Sequence, residues 1–210
     1  MKKRRIFRNL NDKEFAWVLY DVGNSAYTML ACALIPIWFK AMAIGTKPGQ
    51  LTSDRATAYY SMAIAVITIV VALLGPVCGA ISDYKGMKKI FFTSTVAVGV
   101  CGCILNGFAC QWIVFLLLFA ATKIFYNMSL MFYDSMLNDI TTEERMDEVS
   151  SYGYAWGYLG SCIPFLIALV AYVLGPDMVG IISGKLSMAI GFAVTGLWWL
   201  LVTVPPVSYT

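Results

Sequence analysis

Asp21, Asn24, Ser25 and Thr28 fall at i, i+3, i+4 and i+7 of an otherwise apolar stretch. On a helix they form one polar stripe. A carboxylate about 9 Å inside a membrane-crossing helix is costly unless it meets a wet cavity or a partner. The stripe therefore either lines a pathway for solute or ions, or serves helix packing with Asp21 hydrated from the interface. A second apolar stretch, 112–138, carries Lys123, Asn127, Asp134 and Asn138. Lys123 and Asp134 are three turns apart and share a face, with Asn127 between them. Lys123 lies about 16 Å from either end of that stretch, too deep for a side chain of about 6 Å to reach out. It must face water, an anion or a carboxylate, either as part of a substrate or coupling site or in a structural ion pair. Asp134 is about 16 Å away along the helix and cannot be its direct partner. Asp21 and Asp134 instead lie at similar depths near one end of the bundle.

The elements that carry these residues are membrane helices. Of the 210 residues, 60% are hydrophobic, 13% are charged and none is histidine. Six apolar stretches, 15–39, 58–82, 90–110, 112–137, 152–174 and 186–204, take up about two thirds of the chain. Each reaches the roughly 17–25 residues that cross a bilayer. A soluble domain of this length could not hide so much apolar surface, which excludes a soluble enzyme, a nucleic-acid binder and a secreted disulfide scaffold. The expected fold is all-α, a six-helix transmembrane bundle over 15–204. A basic tail is expected at 1–14, and 205–210 as the start of a linker or a truncated end. Spans of this length also argue against a β-barrel, whose strands run to about 10 residues.

Without histidine there is no His-type zinc site, no Ser-His hydrolase and no histidine proton shuttle. Neither a metal, a cofactor nor an enzymatic activity is expected. Cys32, Cys78, Cys101, Cys103, Cys110 and Cys162 are scattered through apolar segments with no CxxC pair, as small hydrophobes would be. The basic start could pass for a signal peptide. Its apolar run is too long, however, contains Asp21 and Asn24, and is followed by no A-x-A site, so a retained first span is expected. With the tail placed inside, ten of the 15 Lys and Arg residues fall on the cytoplasmic side, four outside, and Lys123 within the membrane. That bias puts both termini in the cytoplasm.

The turn between the second and third spans reads Gly79-Ala-Ile-Ser-Asp83-Tyr-Lys85-Gly86-Met-Lys88-Lys89. Gly86 permits a tight reversal with positive φ, and the lysines suit the cytoplasmic face. The spacing resembles the signature loop of the major facilitator superfamily, G-x-x-x-D-(R/K)-x-G-(R/K)-(R/K), with Gly79, Asp83, Gly86 and Lys88 matching. Tyr84 and Met87 replace two basic positions, and Lys85 and Lys89 stand close by. Trp17-Val-Leu-Tyr-Asp-Val-Gly-Asn-Ser-Ala-Tyr27 is similar to the first-helix pattern W-x-L-Y-D-x-x-N-S-A-[YF] of the vacuole-effluxer-like branch. Phe132–Ile140 and Val149–Gly160 resemble its fourth-to-fifth helix region. The resemblance spans nearly all of 15–165.

It implies a secondary active transporter, or its N-terminal half, in the plasma membrane of a bacterium. Such a carrier moves a small organic solute, such as an amino acid, by alternating access and is coupled to an ion, expected to be a proton. It also implies that helices one and four line the pathway, and that a second six-helix half or a homodimer mate completes the cavity. Lys123 is then expected to anchor an anionic group, and Asp21 or Asp134 to carry the coupling proton. Gly153, Gly157, Gly160 and Ser161 form a small-residue face suited to close helix packing. Charges of opposite sign on the tail, the 83–89 turn and the 139–150 segment could latch a cytoplasmic gate. A rival reading is a six-helix substrate-binding subunit that docks on a separate energising complex. The length suits that rival, whereas the turn and the first-helix pattern favour the carrier.

Overall fold

A computed structural model of the chain describes residues 10–84 and 86–209, without the side chains of Ser82 and residues 205–209. Lys2, Lys3, Arg4, Arg5 and Arg8 of the expected tail, and Lys85 of the signature turn, lie outside the described residues. The helices are α1 (Asp12–Ala33), α2 (Ile35–Ala43), α3 (Ser53–Ser82), α4 (Met87–Asn106), α5 (Trp112–Ile140), α6 (Met146–Val173) and α7 (Gly184–Tyr209), with a 3₁₀ turn at Glu143–Arg145. Among the described residues α3 to α7 are each long and apolar enough to cross a membrane. The bent pair α1 and α2 passes the same test together and brings the number to six if it is one broken span rather than a re-entrant loop.

Three departures from the expected boundaries each have a local cause. The first span, expected as one run over 15–39, bends by 42° between Ala33 and Ile35. Pro36 stands at the start of α2. Having no N–H, it leaves the carbonyl four residues back without its helical partner. The first helix begins at Asp12 rather than 15, because Asn11 and Glu14 close a capping box: Glu14 N donates to Asn11 Oδ1 and Asn11 N to Glu14 Oε2, both at 2.8 Å. Such a box satisfies two amide donors that a helix start leaves orphaned. At the other end α7 runs through Pro205 and Pro206 to Tyr209, so the expected linker at 205–210 is helical as far as that residue. Proline's fixed φ is helical, and its cost is a missing amide donor.

Packing centres on α1, which lies against α6 and α7, while α5 lies against α3 and α4 and α7 also meets α4. Trp199 of α7 is fully buried in the middle of this arrangement, stacked on Tyr27 at 5.7 Å between ring centroids and edge-on to Tyr126 at the same distance. Gly99 of α4 makes room for it, since a Cβ there would come within 2.6 Å of the indole. By contrast α3 leaves Met62, Val66, Ile69, Leu73 and Val77 exposed. An apolar face of that extent requires lipid or another protein wall.

At the end where α1 begins, ionic contacts brace the helices. Glu14, 1% exposed, accepts from Thr141 Oγ1 at 2.8 Å and pairs with Arg145 at 3.1 Å. Lys88 pairs with Asp139 at 2.7 Å and donates to the Ser135 carbonyl at 3.2 Å. The 139–150 segment is therefore tied to both neighbours, although toward the tail the signs are reversed, with the segment's arginine meeting the tail's glutamate.

Gly86 caps the start of α4 at φ +83°, and a Cβ there would meet nothing within 4 Å. Any cost of substitution is thus backbone cost alone. Gly86→Val is expected to destabilise by about 1–2 kcal/mol, and Gly86→Asn by less, because Asn tolerates the left-handed region. Thermal unfolding in detergent checks this, and equal losses for the two variants would contradict it.

Candidate functional site

A cavity of about 500 Å³ lies between α1, α5 and α6. The four stripe residues of α1, Asp21, Asn24, Ser25 and Thr28, all line it. Asp134 and Tyr126 enter from α5, and Tyr154, Tyr158 and Ser161 from α6. The cavity extends from Thr28 and Ser161 in mid-bundle to Leu137 and Ser150, near the face where α1 begins and α5 ends. Helical periodicity does the positioning: the eight residues 21–28 of α1 carry the stripe through two turns on one side, while Tyr20 and Tyr27 of the same helix are buried behind it.

Within the lining, polar groups are chained. Asn24 Nδ2 donates to Asp21 Oδ1 at 3.3 Å, Tyr126 OH donates to Asn24 Oδ1 at 3.4 Å, and Thr28 Oγ1 shares a 2.5 Å hydrogen bond with the Tyr126 hydroxyl. This string fixes the amide of Asn24 between a carboxylate and a phenol. Asp21 is half-buried, whereas Asp134 is exposed on the open wall. The two acids act on each other electrostatically, and both act on Tyr133. Trp17 and Tyr133 close the cavity toward α5 as a stacked pair, 4.3 Å between centroids and 12° from parallel, with Trp17 Nε1 donating to the Tyr133 carbonyl at 3.1 Å.

The glycines of α6 set how closely this wall is drawn together. A Cβ on Gly157 would stand 2.9 Å from Ser25 Oγ and 3.1 Å from Asp21 Oδ2. On Gly153 it would stand 3.0 Å from the Trp17 ring, and on Gly160 2.4 Å from a Val22 methyl. The α6 backbone therefore presses against the carboxylate-bearing turn of α1, an approach that small residues permit. Ser161, at the far end of this face, lines the cavity and donates to Met29 Sδ at 3.1 Å and to the Tyr158 carbonyl at 3.0 Å.

Lys123 and Asn127 are not part of the lining. Lys123 Nζ lies 4.5 Å from the Tyr126 ring centroid and 5.7 Å from that of Tyr27. The partners demanded for it by depth alone, water, an anion or a carboxylate, omit the aromatic face, whose negative quadrupole attracts a cation. Among the described residues the lining contains two carboxylates and no lysine or arginine. On the signature turn, Gly79 and Asp83 are exposed, and Lys88 makes a cross-helix ion pair.

The aromatic share of the site, Trp17, Tyr126, Tyr133, Tyr154 and Tyr158, was not singled out from the sequence. The signal was present: Tyr126, Leu130, Tyr133, Asp134 and Leu137 follow helical spacing on one face, as do Tyr154, Tyr158 and Ser161.

The family model for vacuole effluxer Atg22-like proteins matches residues 138–210. YxiO of Bacillus subtilis (strain 168), named as an uncharacterized MFS-type transporter, is 34% identical over 207 residues, which is 97% of this chain and 48% of the relative. The chain thus spans about half the length of the curated relative it matches. No solved structure matches it.

Proposed function

We propose, for a chain that belongs to the vacuole-effluxer-like branch of the major facilitator transporters, that its six spans form one wall of a solute pathway with the α1–α5–α6 cavity as the binding surface. The observation that carries this reading is the convergence of Asp21, Asn24, Ser25, Thr28 and Asp134 on a single cavity. Polar and ionisable groups at membrane depth are expensive, and they persist where solute or ions pass. The pathway is completed by a second six-helix body, either another segment or another copy, whose wall would cover the exposed side of Asp134. Rocking of the two bodies about this site would expose it to each side of the membrane in turn. The excess of Lys and Arg in the tail and turn supports a cytoplasmic location for the face that Leu137 and Ser150 approach. A small organic solute suits the cavity's size, and a coupling proton would have Asp21 and Asp134 as carriers.

Reconstitution of the full-length protein in proteoliposomes tests the proposal. Imposing a pH gradient across vesicles loaded with a mixture of radiolabelled amino acids and amines is expected to drive movement of at least one of them above protein-free vesicles. The same flux should collapse when a protonophore is added. A folded, correctly inserted protein that moves none of them would overturn the proposal.

A further inference from the structure

Whatever solute occupies the α1–α5–α6 cavity meets two carboxylates, Asp21 and Asp134, that act on each other, with no basic side chain among the described lining residues. Like charges facing a common cavity, where effective permittivity is low, favour an occupant of opposite sign. The rest of the wall has the same preference. Trp17, Tyr126, Tyr133, Tyr154 and Tyr158 line the cavity, and a ring face attracts an ammonium group. The chain itself supplies an instance, since the Lys123 ammonium lies 4.5 Å from the centroid of Tyr126, one of these lining rings. Tyr133 adds a polar group in waiting: it is 4% exposed, and its hydroxyl has no hydrogen-bond partner, although both acids act on it. Nothing in the lining offers a counter-charge to a carboxylate or phosphate. The half-buried Lys123 of α5 is not among the lining residues, and its ammonium is engaged with the ring of Tyr126, itself part of the lining, and with that of Tyr27.

We infer that this wall recognises the ammonium group of an organic amine, held between Asp21, Asp134 and the aromatic faces, rather than the carboxylate of an acid. The inference rests on the cavity being the solute site proposed above. It reverses the expectation that Lys123 anchors an anionic group. Two sources share the recognised chemistry, the α-ammonium of an amino acid and a plain amine without a carboxylate. For the former, the carboxylate must be met by groups beyond this wall.

Binding to the detergent-solubilised full-length protein, followed by calorimetry, tests the inference with two size-matched series: phenethylamine, phenylalanine and phenylacetate, then 3-methylbutylamine, leucine and isovalerate. In at least one series an ammonium-bearing member is expected to bind at least about tenfold more tightly than the carboxylate, with the preference lost in the Asp21→Asn, Asp134→Asn double variant. Binding of the amino acid equal to or tighter than the amine assigns the group to an amino acid, and the opposite order to a plain amine. Should the double variant fail to fold, Asp134→Asn alone, at an exposed position, is expected to weaken ammonium binding severalfold. Carboxylates binding as well as amines, or no amine binding that responds to these substitutions, would overturn the inference. Transport is scored separately in proteoliposomes. Amine binding without movement retires only the transport proposal, and carboxylate movement without amine binding retires only this inference.

Discussion

Asp21→Asn is expected to reduce solute movement by the full-length protein at least about a hundredfold, equivalent to about 2.7 kcal/mol, while leaving the fold intact. The substitution keeps the shape of the side chain, and an amide oxygen can still accept from Asn24 Nδ2, the 3.3 Å contact that orients Asp21. It removes one of the two negative charges in the lining and a site at which a proton can be carried. Initial rates in proteoliposomes should fall while the thermal unfolding midpoint in detergent stays within a few degrees. A rate within threefold of the parent would contradict the assignment of Asp21 to the pathway. On sequence grounds Lys123 carries an equal expectation. Its place outside the lining, over the rings of Tyr126 and Tyr27, reduces the expected effect of Lys123→Gln to severalfold.

Gly157→Val should strongly damage the seam between α1 and α6. The first carbon alone would stand 2.9 Å from Ser25 Oγ and 3.1 Å from Asp21 Oδ2, and two further methyl groups must then be placed. Overpacking of this kind costs about 1–3 kcal/mol in soluble cores. In a bilayer little offsets the loss, because lipid tails solvate apolar side chains as well as a neighbouring helix does. The α1–α6 seam would have to open, moving the carboxylate as well as the backbone. Gly79→Val provides the contrast, since a Cβ there meets nothing within 4 Å in an ordinary helical conformation, and it is expected to change stability by about 0.5 kcal/mol or less. Unfolding midpoints of the two variants in detergent check the pair. Similar losses would mean that close approach at Gly157 is not what holds α6 to α1.

The helices and the α1 stripe were legible in the sequence because both follow from simple periodicities. Runs of about 20 apolar residues mark spans, and Asp21, Asn24, Ser25 and Thr28 repeat on a helical face whatever lies opposite. Asp134 was legible through depth. What depth could not distinguish was Lys123 from Asp134, because a residue's distance along α5 says nothing about which neighbour its side chain meets. Tyr126 decides that: its hydroxyl joins the α1 stripe through Thr28 and Asn24, while its ring holds Lys123. The buried state of Glu14 was hidden for a similar reason, since its partners Thr141 and Arg145 are more than a hundred residues away in the chain. The aromatic lining was spelled out in spacing yet overlooked, because tyrosines in a membrane helix read first as packing.

The break at Leu34 matters for what holds each part of the bent pair α1 and α2 in place. Bending a continuous helix requires stretching or breaking backbone hydrogen bonds. Here the bond opposite the bend is absent from the outset, because Pro36 has no proton to give. The two turns of α2 are held instead by side-chain packing, with Ile35, Trp38, Phe39 and Ala43 buried and the Trp38 and Phe39 rings against Phe192, Tyr60, Trp112 and Phe115, while the turns bearing Asp21 to Thr28 lie against the glycine face of α6. The bend therefore divides two kinds of support, aromatic packing on one side and close backbone approach on the other.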